Sequence, residues 1–277
     1  MPVWTCFQCG AQFVEDREPP SACLICEDER QFVTWSGQRW LAREELARHY
    51  RLVCRDDLGI SGIGVEPSFA IGQRALLLCE ADGCVMWDCV PLITDEAVEY
   101  VRGLGGLKAI AVSHPHYYGA VADWSAAFGG IPVYLHGDDA AFVTRPDPAI
   151  VPWSGDALEL SSDIRLLRTG GHFAGATMLH WRSAAAGKGA LFVGDIATVT
   201  MDRRFVSFMY SYPNYIPLNG AAVRRIADAV ASLAFDRIYG AWWDRNIAAD
   251  AKTAFDASVK RYLAAISPTD EADAARD

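Results

Sequence analysis

The chain is organised around one stretch, Ile110-Ala111-Val112-Ser113-His114-Pro115-His116-Tyr117-Tyr118-Gly119. Its apolar half, bounded by glycines upstream and by Pro115 downstream, predicts a buried strand that ends at two histidines. In an extended segment, the His-x-His spacing places both imidazoles on the same side. Two imidazoles in this arrangement can share one cation. We therefore expect a strand that delivers two metal ligands to the edge of a sheet.

The composition is that of a globular protein, with 277 residues, 51% hydrophobic and 22% charged. The net charge is −10, and no Lys/Arg-rich run occurs, which argues against a nucleic-acid partner. The sequence shows no targeting signal and no apolar run long enough to span a bilayer. We expect a cytoplasmic protein with a small-molecule substrate and no membrane partner. Assembly into a homo-oligomer stays open.

Four of the eight cysteines form two Cys-x-x-Cys pairs, Cys6 with Cys9 and Cys23 with Cys26, separated by 13 residues. Two such turns can enclose one metal ion with four thiolates. Residues 1–35 are too few to build an apolar core, so the metal would supply much of their folding free energy. The spacing predicts structural zinc, with iron as the alternative because thiolate tetrahedra accept either metal. The segment resembles a zinc ribbon of the rubredoxin-like type.

The other four cysteines, Cys54, Cys79, Cys84 and Cys89, are scattered among strand-like segments. Thiols stay reduced in the cytoplasm, and free cysteines are among the residues most often buried. We therefore interpret these four as small buried hydrophobic residues rather than as disulfides.

Apolar alternation predicts strands over residues 63–69, 75–79, 84–90, 131–136, 157–160, 164–168, 177–181, 189–193 and 237–240. Helical periodicity predicts helices over 40–50, 95–104, 120–128, 221–233 and 252–266. The succession of strand, helix and strand around the histidine pair implies a parallel crossover. Residues 268–277 are polar and acidic, and we expect them to fray.

Further candidate site residues follow other predicted strands. Glycines in the loop 169–177 allow a sharp bend that presents His172, and the strand at 189–193 is followed by Gly194 and Asp195. Asp88 lies in an apolar strand and needs a partner, either loop backbone or the metal histidines. His136 ends another strand but has a weaker claim to be a ligand.

Taken in order, His114-Pro115-His116, the loop around His172 and the strand end at Asp195 resemble the metallo-β-lactamase fold family. The resemblance covers residues from about 60 to about 245. Met86-Trp87-Asp88 resembles the early strand aspartate of that family. The resemblance implies an α/β fold, a four-layer αββα sandwich with a metal site at one edge between the two sheets. The domains would be the zinc ribbon, 1–35, and a metallo-β-lactamase-like domain, 36–277, which includes a linker helix.

The sequence departs from the usual His-x-His-x-Asp-His motif of the family. Tyr118 and Gly119 stand where the aspartate and histidine of a second metal site would be. The late histidine is replaced as well, because Trp242 and Trp243 follow Ala241. The resemblance therefore implies one zinc or iron ion and the loss of the second. Its ligands would be His114, His116, His172 and Asp195.

These residues suggest a hydrolase of a small ester, lactone, amide or thioester. Asp195 would be a ligand or proton acceptor, and Tyr118 would donate a hydrogen bond to a developing oxyanion. One alternative is a non-catalytic ligand-binding or regulatory protein of the same fold. Another is a mononuclear iron oxygenase resembling persulfide dioxygenases. The tyrosine-rich segment 205–217, with Tyr210, Tyr212 and Tyr215, would form a wall over the site or a surface loop packed on itself.

Overall fold

A small three-stranded sheet forms the amino-terminal part of the computed structural model, which describes residues 1–267. Its strands are β1 (Val3–Cys6), β2 (Gln12–Glu15) and β3 (Trp40–Ala42), in the order β2-β1-β3. We refer to residues 3–42 as the ribbon. The buried residues of its apolar core are Cys6, Cys9, Ala11, Phe13, Cys23, Ile25 and Cys26. The predicted tail 268–277 lies outside the described residues.

The predicted linker helix is shorter than expected. Residues 40–42 pair with β1 as β3, so the helix α1 covers only Arg43–His49. The reason is tertiary, because the backbone of Trp40 and Leu41 completes the ribbon sheet instead of continuing a helix. The domain boundary near residue 35 stays a prediction.

The first large sheet has seven strands in the order β10-β9-β8-β7-β6-β5-β4. The strands are β4 (Arg51–Asp57), β5 (Ile60–Glu66), β6 (Arg74–Glu80), β7 (Gly83–Trp87), β8 (Leu107–Ala111), β9 (Val133–His136) and β10 (Ile150–Trp153). β5 to β7 form the predicted antiparallel meander, to which β4 adds one more antiparallel strand, whereas β7 to β10 run parallel. The helices α2 (Asp95–Gly103) and α3 (Val121–Ala127) connect the parallel strands and confirm the predicted crossover.

The second large sheet has six strands in the order β11-β12-β13-β14-β19-β20. Its strands are β11 (Ala157–Glu159), β12 (Ile164–Arg168), β13 (Thr177–Trp181), β14 (Ala190–Gly194), β19 (Arg237–Gly240) and β20 (Asn246–Ile247). Two short hairpins lie between β14 and β19, formed by β15 (Thr198–Val199), β16 (Val206–Ser207), β17 (Met209–Ser211) and β18 (Ile216–Pro217). The helices are α4 (Ala184–Gly187), α5 (Gly220–Ala229) and α6 (Ala251–Ile266). Within residues 1–267, none of the helices has the length and apolar character that crossing a bilayer requires.

The two sheets pack face to face, with one apolar core between them and one core under the helices on each outer face. The inner core includes Leu76, Leu78, Val85, Trp87, Leu166, Leu179, Phe192 and Tyr239. Outer cores lie beneath α2 and α3 on one side and beneath α5 and α6 on the other. Burial of both sheet faces explains why so many strands are apolar throughout. The predicted αββα sandwich is confirmed.

A buried arginine joins the two sheets near their common edge. Arg74 donates from Nε to Asp57 Oδ2 at 2.5 Å, and from its two terminal nitrogens to the carbonyl of Gly240 at 2.6 Å and to Asn246 Oδ1 at 2.9 Å. Asn246 Nδ2 in turn donates to Asp57 Oδ1 at 2.6 Å. The network therefore links β4 and β6 of the first sheet to β19 and β20 of the second.

The interpretation of Cys79 and Cys84 as free thiols is wrong, because they form a disulfide. They are directly opposite partners in the β6–β7 hairpin, with Cα atoms 3.9 Å apart. The hairpin register brings the two thiols together irrespective of the wider fold. Cys54 and Cys89 are free, as expected, but only Cys89 is buried, whereas Cys54 is half-buried.

Candidate metal centres

Four side chains from separate parts of the sequence meet at one edge of the sandwich. His114 and His116 follow β8, His172 lies between β12 and β13, and Asp195 follows β14. One ligand atom from each lies within 4.8 Å of the other three. All four side chains are buried, with exposed fractions from 0% to 3%. We refer to these four residues as the His/Asp cluster.

The turn that carries the histidine pair is held by Asp88. This residue follows β7 in the left-handed region, with φ of 59°, and its Oδ1 accepts a hydrogen bond of 2.8 Å from the backbone N–H of Ser113. Burial raises the pKa of Asp88 to about 6, while the bond from Ser113 and the charge of His114 act in the opposite direction. The expected structural role of Asp88, to bond the loop that bears the histidines, is the one observed.

Hydrogen bonds on the outer side of two imidazoles orient them toward the centre. His172 Nδ1 lies 3.1 Å from the carbonyl oxygen of Met209, and because that oxygen can only accept, Nδ1 carries the proton. Nε2 of His172 is then free to bind a metal. His114 Nδ1 lies 3.1 Å from Ser113 Oγ, which likewise leaves its Nε2 facing inward.

The imidazole nitrogens and the carboxylate oxygen that face the centre of the cluster lie close together, as the ligands of one metal ion do. His172 Nε2 lies 3.3 Å from His116 Nδ1, and His114 Nε2 lies 3.0 Å from Asp195 Oδ1. Despite that short distance, His114 Nε2 and Asp195 Oδ1 lack hydrogen-bond geometry, and both are buried with no other partner among the described residues. Buried polar atoms are rarely left unsatisfied, so a shared cation accounts for this arrangement. Three imidazoles and a carboxylate suit Zn²⁺ or Fe²⁺.

The protonation states also favour a cation. Burial lowers the pKa of His172 to about 4 and the pKa of His116 well below its ordinary value. Burial alone would raise the pKa of Asp195, but the adjacent imidazoles, with His114 the strongest, outweigh it and hold that pKa below the usual carboxyl range. At neutral pH, His116 and His172 are therefore neutral and Asp195 is ionised, the forms in which they bind metals.

The positions where the family resemblance would place a second metal site have other contacts. The Tyr118 hydroxyl donates to the backbone oxygen of Asp139 at 3.2 Å. Gly119 has φ of 42°, and a Cβ there would lie 2.8 Å from the carbonyl oxygen of Val90. No larger side chain fits at Gly119 without displacing backbone, which excludes a histidine in this geometry. The catalytic role expected for Tyr118 stays a prediction.

The two tryptophans that replace the late histidine pack against the first sheet. Trp242 Nε1 donates to the carbonyl oxygen of Ile71 at 2.7 Å. The Trp243 ring covers Gly62 and Gly64, and a Cβ at Gly64 would lie 2.4 Å from its Nε1. Glycines in β5 thus make space for an aromatic ring at the position where the family resemblance leads one to look for a ligand.

Sequence reasoning passed over Tyr117, which contacts the His/Asp cluster. Its ring meets that of His114 edge to face with centroids 4.7 Å apart, because the 3₁₀ turn Pro115–Tyr117 directs it back toward the strand end. The buried hydroxyl has no hydrogen-bond partner among the described residues. Burial, reinforced by the charges of Asp195 and Asp88, raises the pKa of Tyr117 well above its ordinary value.

The tyrosine-rich segment forms a wall against the cluster. The Tyr212 hydroxyl donates to the backbone oxygen of Asp195 at 2.5 Å, and its ring lies edge to face with His172 at 5.8 Å. Tyr210 points toward the ribbon, and Tyr215 is exposed. His136 lies outside the cluster, with Nε2 3.1 Å from the carbonyl oxygen of Gly155.

The four ribbon cysteines form the second candidate metal centre, which we call the cysteine cluster. All four are buried, and their sulfurs lie within 4.8 Å of one another, with Cys6 and Cys26 at 3.5 Å and Cys9 and Cys23 at 3.7 Å. Each Cys-x-x-Cys pair is a tight turn, closed by the N–H of Gly10 on the Cys6 carbonyl and by the N–H of Cys26 on the Cys23 carbonyl. Four free thiols in this arrangement match a closed tetrahedral thiolate site.

The fold places the chain in a known structural class. Residues of the chain superpose on VMB-1 with a TM-score of 0.56, 14% identity and coverage of 78% of this chain and 99% of that one. For the DIM-1 metallo-β-lactamase the TM-score is 0.55, with 13% identity and coverage of 77% and 96%. A B3 metallo-β-lactamase with an active-site glutamic acid gives a TM-score of 0.51 with 17% identity. That match covers 78% of this chain and 91% of the other. The fold is that of the metallo-β-lactamases.

Sequence similarity identifies a much nearer relative. The uncharacterized protein YmaE of Bacillus subtilis (strain 168) is 42% identical over 270 residues, which cover 96% of this chain and 98% of YmaE. The chain belongs to the family of YmaE. No family model matches it. Because the match extends over nearly the whole chain, it includes the ribbon as well as the sandwich.

Proposed function

We propose that this protein is a metal-dependent hydrolase of a small ester, lactone, amide or thioester, with one metal ion in the His/Asp cluster. The observation that carries the proposal is the convergence of four buried donors, two of them with unsatisfied inward atoms, at the sheet edge of a metallo-β-lactamase fold. His114, His116, His172 and Asp195 would hold the ion. Zinc and iron(II) both suit these donors.

The surroundings of the cluster support one ion rather than two. At Gly119 the backbone of Val90 leaves no space for a histidine, and the Tyr118 hydroxyl is bonded to the chain at Asp139. Trp242 and Trp243 pack on the first sheet. None of these positions offers an imidazole or carboxylate donor, so the residues that would define a second site are lost.

A metal ion in such a site polarises a substrate carbonyl and lowers the pKa of a water molecule. The low pKa of Asp195 makes its carboxylate a weak base, so we assign it to metal binding rather than to proton abstraction. Tyr117 keeps its proton at neutral pH, because its pKa is raised, and its hydroxyl has no hydrogen-bond partner among the described residues. It is thus available to donate a hydrogen bond to a developing oxyanion, as is Tyr118 once its bond to Asp139 opens.

Aromatic side chains would keep bulk water from the reacting groups. The Phe173 ring lies 5.3 Å from the His114 ring and 4.9 Å from the His116 ring, and Tyr212 lies against His172. A dry site strengthens the electrostatic interactions on which carbonyl hydrolysis depends. The tight aromatic enclosure favours a small substrate.

Metal analysis together with a substrate panel tests the proposal. Protein purified without chelators should contain two metal ions per chain, one for each cluster, and should hydrolyse at least one of a panel of chromogenic esters, lactones, β-lactams and thioesters. The variant His114→Ala/His116→Ala should retain one metal ion and lose the hydrolysis. His49→Ala is the control, because that histidine is exposed and outside both clusters.

The same experiment separates the alternatives. An unchanged metal content in His114→Ala/His116→Ala would refute a metal site there. A metal-loaded cluster without hydrolysis of any panel member would favour the non-catalytic, ligand-binding function. Iron in the cluster, together with oxygen uptake on addition of a persulfide, would favour the oxygenase.

A further inference from the structure

The ribbon lies directly over the His/Asp cluster. Arg30, which follows the second Cys-x-x-Cys pair, has its guanidinium carbon 3.8 Å from the centroid of the Phe173 ring, and it donates to the backbone oxygen of His172 at 3.3 Å. The Phe173 ring in turn stacks on the ring of His114. Asp28 holds the guanidinium in a two-pronged contact, with both bonds at 2.5 Å. Arg30 is thereby fixed over a metal-ligand loop that lies more than a hundred residues away in sequence.

Glu29 attaches the same segment to the tyrosine-rich wall. Its backbone oxygen accepts hydrogen bonds of 2.8 Å from Ser211 Oγ and from Asn214 Nδ2. Its carboxylate contacts the hydroxyl of Tyr210. The wall also contains Met209, whose carbonyl oxygen orients His172. Residues 28–30, which we call the cover segment, therefore contact both elements that surround His172.

The cover segment takes its conformation from the cysteine cluster. It begins two residues after Cys26, and the N–H of Glu27 donates to the carbonyl oxygen of Cys23 at 3.0 Å. The N–H of Gln31 then donates to the carbonyl oxygen of Asp28 at 2.9 Å, which closes a turn around the segment. Because the ribbon core consists mainly of cysteines, loss of their metal would unfold the ribbon and release the cover segment.

The contacts that hold the cover segment against the sandwich are of kinds that can break without a large loss of free energy. They are hydrogen bonds, three cation–π contacts of Arg30 and a partly exposed ion pair, all of which exchange for contacts with water at low net cost. The four residues of the His/Asp cluster are at most 3% exposed, so a substrate or a metal ion can reach them only after something moves. The cover segment is the part of the enclosure that belongs to a separate, metal-dependent unit.

We infer that the cover segment is a gate over the His/Asp cluster, and that metal bound in the cysteine cluster keeps this gate closed. The inference rests on the proposed binding of a metal ion by the His/Asp cluster. It assigns the ribbon a regulatory function, because the loading state of one metal centre then controls access to the other. Arg30 is a positioning residue in this scheme, and its contacts with Phe173 and His172 hold the closed state.

Metal exchange tests the gate without any assay of activity. The full chain is loaded with Co²⁺, whose thiolate charge-transfer bands report the cysteine cluster. The d–d absorption that remains after subtraction of the spectrum of His114→Ala/His116→Ala reports the His/Asp cluster. Stopped-flow mixing of the loaded protein with a chelator gives the release rate from the His/Asp cluster, and mixing of protein loaded only in the cysteine cluster with Co²⁺ gives the entry rate. The variants are Arg30→Ala and, from the sandwich side, Asn214→Ala. Arg17→Ala is the control, because this ribbon arginine is exposed.

Opening a gate speeds entry and release together and leaves the equilibrium affinity unchanged. We expect both rates to rise about tenfold in Arg30→Ala, as fits the loss of a cation–π contact and a charged hydrogen bond. The rise should be smaller in Asn214→Ala and absent in Arg17→Ala. Cys26→Ser, which disrupts the cysteine cluster, should produce the fastest exchange of all.

Two results would overturn the gate. One is exchange rates that are the same in Arg30→Ala, Asn214→Ala and the unmodified chain. The other is a lower Co²⁺ affinity with an unchanged entry rate, which would mean that Arg30 stabilises the bound ion and does not limit access. If Arg30→Ala misfolds in the ribbon and loses its thiolate bands, the exchange rates of Asn214→Ala provide the test instead. Equal d–d absorption of the unmodified chain and of His114→Ala/His116→Ala would instead refute the proposed metal site, and the gate with it.

Discussion

The cysteine cluster takes its ligands from residues 6–26, whereas the His/Asp cluster collects its ligands from residues 114–195. The first consists of two local turns, and each turn presents its sulfurs without help from distant parts of the chain. The second depends on strands of both large sheets ending at the same edge. The cysteine cluster is therefore encoded by local sequence spacing, whereas the His/Asp cluster forms only when the two sheets of the sandwich assemble.

The two centres also differ in what stabilises the structure around them. The ribbon has a core of seven buried apolar residues, four of which are the cysteines themselves. The His/Asp cluster lies beside the large cores of the sandwich, which do not depend on a metal. We therefore expect metal removal to unfold the ribbon and to leave the sandwich folded.

The largest effect should come from Cys26→Ser. Structural zinc contributes on the order of 10–16 kcal/mol of apparent binding free energy in small metal-dependent domains, so loss of one thiolate should unfold the ribbon. Hydrogen exchange should show loss of protection in residues 3–42 but not in β5 to β8. His172→Ala is the matched variant in the other centre, and it should lose its metal while both units stay protected. Equal protection of the ribbon in Cys26→Ser and the unmodified chain would show that its fold does not need the metal.

A smaller but still large effect is expected from Arg74→Met, which leaves the carboxylate of Asp57 buried and unpaired. Loss of one partner of a buried ion pair costs about 3–5 kcal/mol. Urea unfolding followed by tryptophan fluorescence should show this loss in the sandwich, while the ribbon keeps its metal. The double variant Arg74→Met/Asp57→Leu should recover much of the free energy of unfolding, because no unpaired charge remains. If the free energy of unfolding of Arg74→Met fell by less than about 1 kcal/mol, the network around Arg74 would not hold the two sheets together as inferred.

The smallest effects concern single hydrogen bonds to metal ligands. Ser113→Ala removes the Oγ that lies 3.1 Å from His114 Nδ1, and such outer contacts typically change metal affinity by about 10–100-fold. Competition with a chelator of known affinity would measure the change in the His/Asp cluster. The affinity of the cysteine cluster should stay the same.

The ribbon offers the counterpart to this variant. Gln38 Nε2 donates to Cys6 Sγ at 3.1 Å, and Gln38→Ala should weaken metal binding by the cysteine cluster by no more than about tenfold, the worth of one ordinary hydrogen bond. A larger loss in Gln38→Ala than in Ser113→Ala would reverse the expected order and would show that the cysteine cluster also depends on its surroundings.

Much of the sandwich could be predicted because its strands are apolar and short. Segments such as 75–79 and 164–168 fall within observed strands, and the crossover between β8 and β9 followed from the helix between them. β4 escaped prediction because it contains four charged residues, which an outermost strand tolerates where a central strand does not. Residues 40–42 were predicted as helix because their pairing with β1 depends on a partner more than thirty residues away.

The sequence by itself determined the chemistry of both centres, because residue type and local spacing decide which atoms can bind a metal. Only the tertiary structure decided which neighbours those atoms have. It turned Tyr117 rather than Tyr118 toward His114, and it placed Arg30 of the ribbon above Phe173. The physical reason is that periodicity reports which face of an element is buried, whereas contacts between distant segments arise from the packing of whole elements against each other.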